Sequence, residues 1–308
     1  MSSQPPADLP RLPPRRRESS KRDYGRVVVV GGSLGMAGAP ALAAMAALRG
    51  GAGLVELVVP EPVLGVAAGF DPCVMTRSLP AGRDGTFRAG GVEAVLAGLR
   101  RADAVAVGPG IGRSPAVREL VVAVWRRVAA AAVFDADALW ALATEPGGAG
   151  PAGGPRVLTP HAGEMFRLLG RDPAGPEVGD RLPLEREAIA TAAAAGAVVV
   201  LKGAATLVTD GRRQAHNTSG NPGMATAGTG DVLTGVTAAL LAQALPPFDA
   251  ARLAAWVHGR AGDAAASDLG EVSMTARDLL ERLHVGFRAA GGDEPATSGP
   301  ASRAPPAG

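Results

Sequence analysis

Short valine-rich runs alternate with alanine- and leucine-rich segments along most of this chain, and that alternation restricts its fold more than any other feature. Each run ends at a glycine, a proline or a polar residue. The predicted strands are Arg26–Val30, Leu54–Val59, Ala104–Val107, Ala132–Phe134, Arg156–Leu158 and Val198–Leu201. Repeated strand–loop–helix units predict an α/β fold with a mostly parallel sheet and helices on both faces, in three α/β/α layers. Ligands of such sheets bind at the carboxyl ends of the strands, so the residues after these strands are candidate site residues.

The intervening segments have helical composition, and one Asp-Gly pair marks a hairpin. Asp210-Gly211 lies between Ala205–Thr209 and Arg213–Ala215, and an Asp-Gly pair is typical of the tight turn of a β-hairpin. The predicted helices are Ala39–Arg49, Val117–Ala130, Gly163–Leu169, Glu185–Ala195, Gly230–Ala244, Ala250–Ala266 and Thr275–Leu283.

The two ends of the chain differ from its body in composition and charge. Residues 1–23 and 291–308 are rich in proline, arginine, serine or glycine, and we predict disordered tails around one domain at 24–290. Residues 1–23 carry six basic and three acidic side chains, whereas 291–308 carry one basic and two acidic ones. The net charge of +2 for the whole chain therefore leaves the body neutral. We expect no nucleic-acid partner, because such a domain needs a basic face.

Cys73 is the only cysteine, so an intramolecular disulfide is impossible. The charged N-terminal stretch is not followed by the apolar segment of a signal peptide, and no long apolar stretch predicts a membrane span. These features predict a cytoplasmic protein without a membrane partner.

The most informative segment is a glycine-rich loop that leads into a helix. Ala227, Gly228, Thr229 and Gly230 are small, so backbone N–H groups at the start of the helix can approach a phosphate and form an anion hole. Asp231 follows them and is the candidate catalytic base for a hydroxyl that attacks the bound phosphoryl group. The alternative is an ordinary glycine-rich loop with Asp231 as a helix cap.

Two further motifs follow predicted strands. Lys202-Gly203-Ala204-Ala205-Thr206 offers a cation, a close backbone approach and a hydroxyl, although it could be a solvated lysine at the sheet edge. Thr159-Pro160-His161-Ala162-Gly163-Glu164 provides an imidazole for a substrate amide or ring, although it could be only a helix start. His161 lacks a second histidine at ligand spacing, so we expect no metal role for it.

Glycine-rich loops also follow the first strand, at Gly31–Pro40, and the third, at Gly108–Gly112. Neither fits the dinucleotide-binding pattern Gly-x-Gly-x-x-Gly with its acidic partner. Of Asp135 and Asp137, one is expected to bond the next helix and the other to face the site and hold water around Mg²⁺; capping by both is the alternative. The chain has no nucleophile elbow, no Walker A lysine and no base signature beside Cys73.

Together these residues resemble the ADP-dependent NAD(P)H-hydrate dehydratase family of the ribokinase-like superfamily, from about Arg26 to Leu283. The matching segments are Gly31-Gly32-Ser33 with Gly38-Ala39-Pro40, Gly108–Gly112, Asp135–Leu139, Thr159–Glu164, Lys202–Thr206 and Asn221–Asp231. The resemblance implies a Mg²⁺-assisted reaction in which ADP is the co-substrate and (6S)-NADHX or (6S)-NADPHX becomes NADH or NADPH, with release of AMP and phosphate.

The resemblance also implies roles for individual residues. Contacts to the hydrated nicotinamide nucleotide are expected from Ala39, Gly110, Gly112, His161 and Asp231. Contacts to the adenine nucleotide are expected from Lys202, Gly203, Ala204, Ala205, Thr206 and Gly230. No residue is expected to ligate Mg²⁺ directly, since phosphates and water would hold it. A homotetramer and a separate NAD(P)HX epimerase as functional partner are implied as well.

The sequence departs from the family pattern at three positions. Trp140 occupies a position that usually holds asparagine. Ser219 and Ala227 replace the usual threonine or glycine but remain small. A ribokinase-like kinase for a small vitamin-precursor alcohol would share the phosphate loop and the base, but not Asn221–Met224 or Thr159–Glu164. A catalytically silent nucleotide-binding module would not need Asp231 beside Lys202.

Overall fold

The computed structural model describes residues 4–172 and 181–291, and these contain one nine-stranded sheet. The strands are β1 Arg26–Val30, β2 Leu54–Pro60, β3 Met75–Leu79, β4 Ala104–Val107, β5 Ala131–Phe134, β6 Arg156–Leu158, β7 Val198–Leu201, β8 Leu207–Thr209 and β9 Gln214–His216. Their order is β3-β2-β1-β4-β5-β6-β7-β8-β9, parallel through β7 and antiparallel for the last two.

Helices connect most of these strands. They are α1 Gly38–Arg49, α2 Leu64–Ala68, α3 Val92–Leu99, α4 Pro115–Arg127, α5 Asp137–Ala143, α6 Ala162–Leu168, α7 Arg181–Ala195, α8 Thr229–Ala242, α9 Pro247–Leu269, α10 Ala276–Glu281 and α11 Leu283–Ala289. Short 3₁₀ turns occur at Lys21–Tyr24, Glu61–Val63 and Pro222–Met224.

Buried side chains form one apolar layer on each face of the sheet. Along β1, Val27 and Val29 face the layer covered by α1, α8, α9, α10 and α11, whereas Val28 and Val30 face the layer covered by α3 to α7. This alternation follows from the two-residue period of a strand. The predicted three-layer α/β/α fold is therefore confirmed. Small side chains allow close packing, since a Cβ on Gly235 of α8 would lie 2.0 Å from the carbonyl oxygen of Ala43 in α1.

The predicted strand and helix positions agree with the structure where apolar runs are buried on both faces. Strands β1, β4, β6 and β7 span the predicted residues. The edge strand β3 was not predicted, because its half-exposed sequence Met-Thr-Arg-Ser-Leu lacks an apolar run. Helices α2, α3 and α5 were also missed, and the predicted helix Thr275–Leu283 ends at Glu281 as α10.

Residues 4–23 lie along the domain, which differs from the disordered segment predicted for 1–23. Leu9 is buried in the layer beneath α9, Arg15 donates to the carbonyl oxygen of Gly51, and Asp8 pairs with Arg252 at 2.9 Å. One buried apolar side chain, one ion pair and one hydrogen bond to the backbone hold this segment against the domain, which its composition did not predict. Residues 1–3 and the predicted tail from 292 to 308 lie outside the described residues. Across 4–172 and 181–291, no helix combines the length and apolarity needed to cross a bilayer.

Candidate active site

The direction of strand addition reverses between β1 and β4, which are neighbours at the centre of the sheet. Loops after these two strands meet there, as Gly32 N–H donates to the carbonyl oxygen of Pro109 at 2.9 Å and Ser33 Oγ donates to that of Gly110 at 2.8 Å. A Cβ on Gly31 would lie 2.3 Å from the carbonyl oxygen of Pro109, so only glycine permits this approach. Open α/β sheets bind ligands at such a reversal point.

Two predicted substrate contacts come together at this point. Gly110 has φ +60°, and a Cβ on it would lie 3.3 Å from the Cβ of Ala39 in the first turn of α1. The start of α1 also reaches the predicted anion hole, since a Cβ on Gly228 would lie 2.8 Å from Cδ1 of Leu42. The loop after β4 and the start of α8 therefore flank the same end of α1.

Gly112 is held by an acidic residue from the next strand–helix connection. Its N–H donates to Oδ2 of Asp137 at 3.2 Å, and the other oxygen of Asp137 accepts from Nε of Arg113 at 2.7 Å. The Arg113 guanidinium lies 6.0 Å from the ring centre of Trp140. Asp137 thus stabilises the Gly108–Gly112 loop rather than capping α5. Trp140, at the atypical position, lies beside that loop.

Lys202 is the centre of a buried charged cluster at the carboxyl ends of β5, β6 and β7. Its Nζ donates to Oδ1 of Asp135 at 2.8 Å and lies 3.5 Å from Oε2 of Glu164. Asp135 is only 2% exposed, and its Oδ2 accepts from Oγ1 of Thr234 in α8 at 2.8 Å. A Cβ on Gly230 would lie 3.3 Å from Nζ, so the start of α8 adjoins the lysine. The interpretation of Lys202 as a solvated lysine is wrong, because its ammonium is paired and mostly buried.

The turn between Asp135 and Asp137 is strained. Ala136 has φ +51° and ψ −122°, a conformation that side-chain-bearing residues rarely adopt. Such conformations cost about 1–3 kcal/mol and persist where packing fixes them, often at functional sites. The turn sends the two carboxylates to different partners, Asp135 to Lys202 and Asp137 to Gly112 and Arg113.

His161 both starts α6 and adjoins this cluster. Its backbone N–H donates to Oε2 of Glu164 at 2.8 Å. Its Nδ1 accepts from the backbone N–H of Glu164 at 3.3 Å, so the two residues form a reciprocal capping box. Burial lowers the pKa of His161, although the Glu164 carboxylate opposes the shift. A neutral imidazole with a side chain 59% exposed beside Lys202 remains able to contact a ligand. The helix-start alternative is therefore part of the arrangement and does not exclude a binding role.

The loop that opens α8 leaves its helix N-terminus accessible. Gly228 is the residue before the helix, with φ +93°, and among the described residues no side chain caps the first turn. Oγ1 of Thr229 donates back to the carbonyl oxygens of Met224 and Thr226, both at 3.0 Å. His258, buried in α9, donates from Nε2 to the Thr229 carbonyl oxygen at 2.8 Å. Uncapped N–H groups on a supported helix start form an anion site.

Asp231 lies in the first turn of α8 at the edge of the charged cluster. Burial raises its pKa to about 7, the nearby Asp135 and Glu164 add to the shift, and Lys202 opposes it. A carboxyl group with such a pKa can accept a proton at neutral pH and later release it. The cap interpretation does not account for this environment.

The Lys202–Thr206 loop is held from two sides. The Lys202 N–H donates to the carbonyl oxygen of Pro160 at 2.8 Å, and Thr206 Oγ1 donates to that of Gly203 at 3.0 Å. Arg181 of α7 donates to three carbonyl oxygens of this region. Sequence reasoning missed Arg181, Thr234 and His258. Only Thr234 carried a signal, because it follows Asp231 by three residues on the same helix face.

The site contains three carboxyl groups, whose oxygens are the type of ligand that Mg²⁺ prefers, but the ammonium of Lys202 lies among them. Lys202 and Thr234 already occupy both oxygens of Asp135. Within residues 4–172 and 181–291, no group of three or more histidine, cysteine, aspartate or glutamate side chains is arranged to hold a metal. These residues fit a hydrated ion held mainly by a ligand's phosphates.

A family model described as NAD(P)H-hydrate dehydratase matches residues 27–284 of this chain. Relatives include the bifunctional NAD(P)H-hydrate repair enzymes of Moorella thermoacetica, 47% identical over 273 residues, and of Pyrobaculum aerophilum, 42% identical over 271 residues. These alignments cover 88% and 87% of this chain but 51% and 52% of the relatives. The chain thus spans about half the length of the curated relatives it matches.

Several solved structures are similar to this chain. The ADP/ATP-dependent NAD(P)H-hydrate dehydratase from Bacillus subtilis, co-crystallised with ATP and Mg²⁺, has a TM-score of 0.75 and 28% identity, and the match covers 92% of this chain and all of that one. A ribokinase-like superfamily protein from Enterococcus faecalis has a TM-score of 0.71 and 25% identity, with 91% and 92% covered. A hydroxyethylthiazole kinase from Pyrococcus horikoshii, 19% identical with a TM-score of 0.56 over 87% and 89%, shares the fold alone.

Proposed function

Because this chain belongs to the NAD(P)H-hydrate dehydratase family, we propose that it restores (6S)-NADHX and (6S)-NADPHX to NADH and NADPH while converting ADP to AMP and phosphate. The observation that carries the proposal is the position of Asp231, beside Lys202 and in the first turn of a helix whose N-terminus is uncapped within the described residues. A proton acceptor, an anion site and a cation meet there. Phosphoryl transfer to a hydroxyl needs these three groups.

The anion site would bind the phosphoryl group that is transferred. Backbone N–H groups of Ala227 to Gly230 would donate to its oxygens and stabilise the charge that grows during transfer. Gly230 keeps a side chain out of the space beside Lys202, and the hydrogen bond from His258 to the Thr229 carbonyl oxygen supports the start of the helix. Preorganised donors need little rearrangement at the moment of reaction.

Asp231 would act as the base of the first step. It takes the proton of the C6 hydroxyl as that oxygen bonds to the β-phosphorus of ADP; the bond from this phosphorus to the bridging oxygen breaks, and AMP leaves with that oxygen. In the second step the lone pair of the ring nitrogen expels phosphate from C6, and a proton passes from C5 to the departing phosphate, which forms the C5–C6 double bond of the dihydropyridine. A hydroxyl alone is a poor leaving group, which explains why the nucleotide is consumed.

Lys202 would bind the phosphates of the adenine nucleotide, together with the loop through Thr206. Burial alone would lower its pKa, but Asp135 and Glu164 outweigh burial and raise it, so the side chain stays an ammonium. Mg²⁺, when bound, would neutralise charge on the phosphates. Glu164 is the residue that would hold its water, because Lys202 and Thr234 already occupy both oxygens of Asp135.

Ala39, Gly110, Gly112 and His161 would bind the hydrated nicotinamide nucleotide. Two observations support this: a Cβ on Gly110 would lie 3.3 Å from the Cβ of Ala39, and the imidazole of His161 is more than half exposed. The homotetramer and the epimerase partner expected from the resemblance also stay proposals, as does the cytoplasmic location expected from the sequence. Size-exclusion chromatography with light scattering tests the tetramer.

The test combines purified protein, (6S)-NADHX, ADP and Mg²⁺ and follows both the recovery of reduced-nicotinamide absorbance and the formation of AMP. Equal amounts of NADH and AMP are expected. Parallel reactions with ATP identify the phosphoryl donor, and a reaction of hydroxyethylthiazole with ATP tests the kinase alternative. Unchanged NADHX with both nucleotides would rule the proposed activity out.

A further inference from the structure

The Lys202–Thr206 loop depends on a guanidinium group that is distant from it in sequence. Nη1 of Arg181, at the start of α7, donates to the carbonyl oxygen of Lys202 at 3.1 Å. Nη2 donates to the carbonyl oxygens of Leu201 at 3.0 Å and Ala205 at 2.8 Å. One planar group therefore joins the end of β7 to the far side of the loop.

Arg181 is itself held in place. Its Nε donates to Oε1 of Glu185 at 2.9 Å, one helical turn along α7, and the other oxygen of Glu185 accepts from Nε2 of His216 in β9 at 3.0 Å. Burial alone would raise the pKa of Glu185, but its bonds from His216 and Arg181 outweigh it, so the pKa is lowered and the carboxylate stays charged. These contacts lead back to the loop, because the backbone N–H of Asn217, the residue after His216, donates to the carbonyl oxygen of Thr206 at 2.9 Å.

Few interactions within the loop stabilise its conformation. Gly203, Ala204 and Ala205 are exposed and carry no polar side chain, and the hydroxyl of Thr206 makes short-range bonds to Gly203. A loop of small exposed residues loses conformational entropy when a ligand orders it. A guanidinium that fixes three of its carbonyl groups beforehand reduces that cost, which improves affinity without contacting the ligand.

We propose that Arg181 is a positioning residue for the adenine nucleotide: it sets the conformation of Lys202–Thr206 before the nucleotide binds. The inference rests on the proposed function, because the nucleotide role of this loop belongs to it. Lysine cannot replace arginine here, since only the guanidinium has a fixed fork of donors that reaches several carbonyl oxygens at once.

The experiment compares Arg181→Gln and Arg181→Lys with the unaltered chain and with Arg171→Gln as control. Arg171 pairs with Glu187 of α7 at 2.7 Å, so the control also removes an arginine–glutamate pair on this helix. Isothermal titration calorimetry measures the Kd for ADP with Mg²⁺. Steady-state kinetics then separate KM for ADP from KM for NADHX and from kcat.

We expect Arg181→Gln to raise Kd and KM for ADP about tenfold or more, because the loop must then be ordered on binding. Arg181→Lys should show a smaller loss of ADP affinity than Arg181→Gln. In both variants, kcat at saturating ADP and KM for NADHX should stay near the values of the unaltered chain. The control Arg171→Gln should match the unaltered chain in all of these constants. If Arg181→Gln does not fold, Glu185→Gln should show a smaller rise in Kd for ADP.

Two results would overturn the inference: an unchanged Kd for ADP in Arg181→Gln, or equal losses in ADP affinity, NADHX KM and kcat. The calorimetry does not require turnover. A chain that binds ADP through Arg181 but does not dehydrate NADHX would therefore refute the proposed reaction and leave this inference standing.

Discussion

Nζ of Lys202 lies 2.8 Å from Oδ1 of Asp135, a carboxylate that is 98% buried. The two residues are 67 positions apart, at the ends of β7 and β5, and the parallel sheet brings them together. Glu164 and Asp231 complete the cluster, so the lysine is surrounded by three carboxyl groups. The stability and the chemistry of the site both depend on this cluster.

Removing the lysine should destabilise the fold as well as the site. Lys202→Met leaves Asp135 buried without its cation, and breaking a buried pair in this way costs about 3–5 kcal/mol. Urea denaturation measures the free energy of unfolding. Lys21→Met, which alters an exposed lysine, should change it little.

The double variant Lys202→Met with Asp135→Asn separates the two effects. It should recover most of the lost stability, because no uncompensated charge stays buried, while nucleotide binding remains impaired. A single variant as stable as the unaltered chain would show that the pair is not important for folding.

The activity should rise with pH through about 7. Asp231 acts as a base only when it is deprotonated, and burial together with Asp135 and Glu164 raises its pKa to about 7. The pH dependence of kcat/KM under limiting NADHX reports the free enzyme and should show this ascending limb. A profile that is flat from pH 5 to 8 would contradict the assignment.

His258 should make the fold less stable in mild acid. Burial lowers its pKa from 6.5 to about 4, so the folded protein keeps it neutral while the unfolded chain takes up a proton. This contribution to stability is complete above pH 6.5 and is lost as the pH falls towards 4. Thermal unfolding of the unaltered chain and of His258→Gln across this range should give a shallower pH dependence for the variant.

Gly230→Ala should damage catalysis and leave the fold intact. A Cβ there would lie 3.3 Å from Nζ of Lys202, which must shift away, and it would enter the proposed phosphoryl site. We expect kcat/KM to fall about tenfold or more, which is less than the loss of about 10²–10³ that removal of an oxyanion donor causes, because the N–H of residue 230 remains. Gly65→Ala is a matched control, because α2 leaves open space around that position. Equal activity in the two variants would argue against a phosphoryl site at the start of α8.

The fold was predictable where the pattern of apolar residues is local. Valine runs buried on both faces identified β1, β4 and β7, and the glycine and polar residues after them indicated a site at one sheet edge. The half-exposed edge strand β3, with Arg77 and Ser78 in its sequence, has no such pattern. The family resemblance drawn from six motifs is confirmed by the family model over residues 27–284.

The details of the site depended on geometry that the sequence does not contain. In the sequence, Asp135 and Asp137 both follow β5 and neither is distinguished as the partner of Lys202. In the structure, the strained turn at Ala136 separates the two side chains, and Asp135 bonds to Lys202. Arg181 and His258 act through backbone carbonyls on other elements. No local motif identifies such partners.

The most direct test of the account is the turnover of (6S)-NADHX with ADP and Mg²⁺ by Asp231→Asn. We expect kcat to fall by about a hundredfold or more, because general-base catalysis contributes about 10²–10⁴ in rate, while the Kd for ADP stays near that of the unaltered chain. Since the pKa of Asp231 is raised, its charge destabilises the fold above pH 7, and the variant should be at least as stable there. Near-normal kcat in this folded, nucleotide-binding variant would contradict the role of Asp231 as the base.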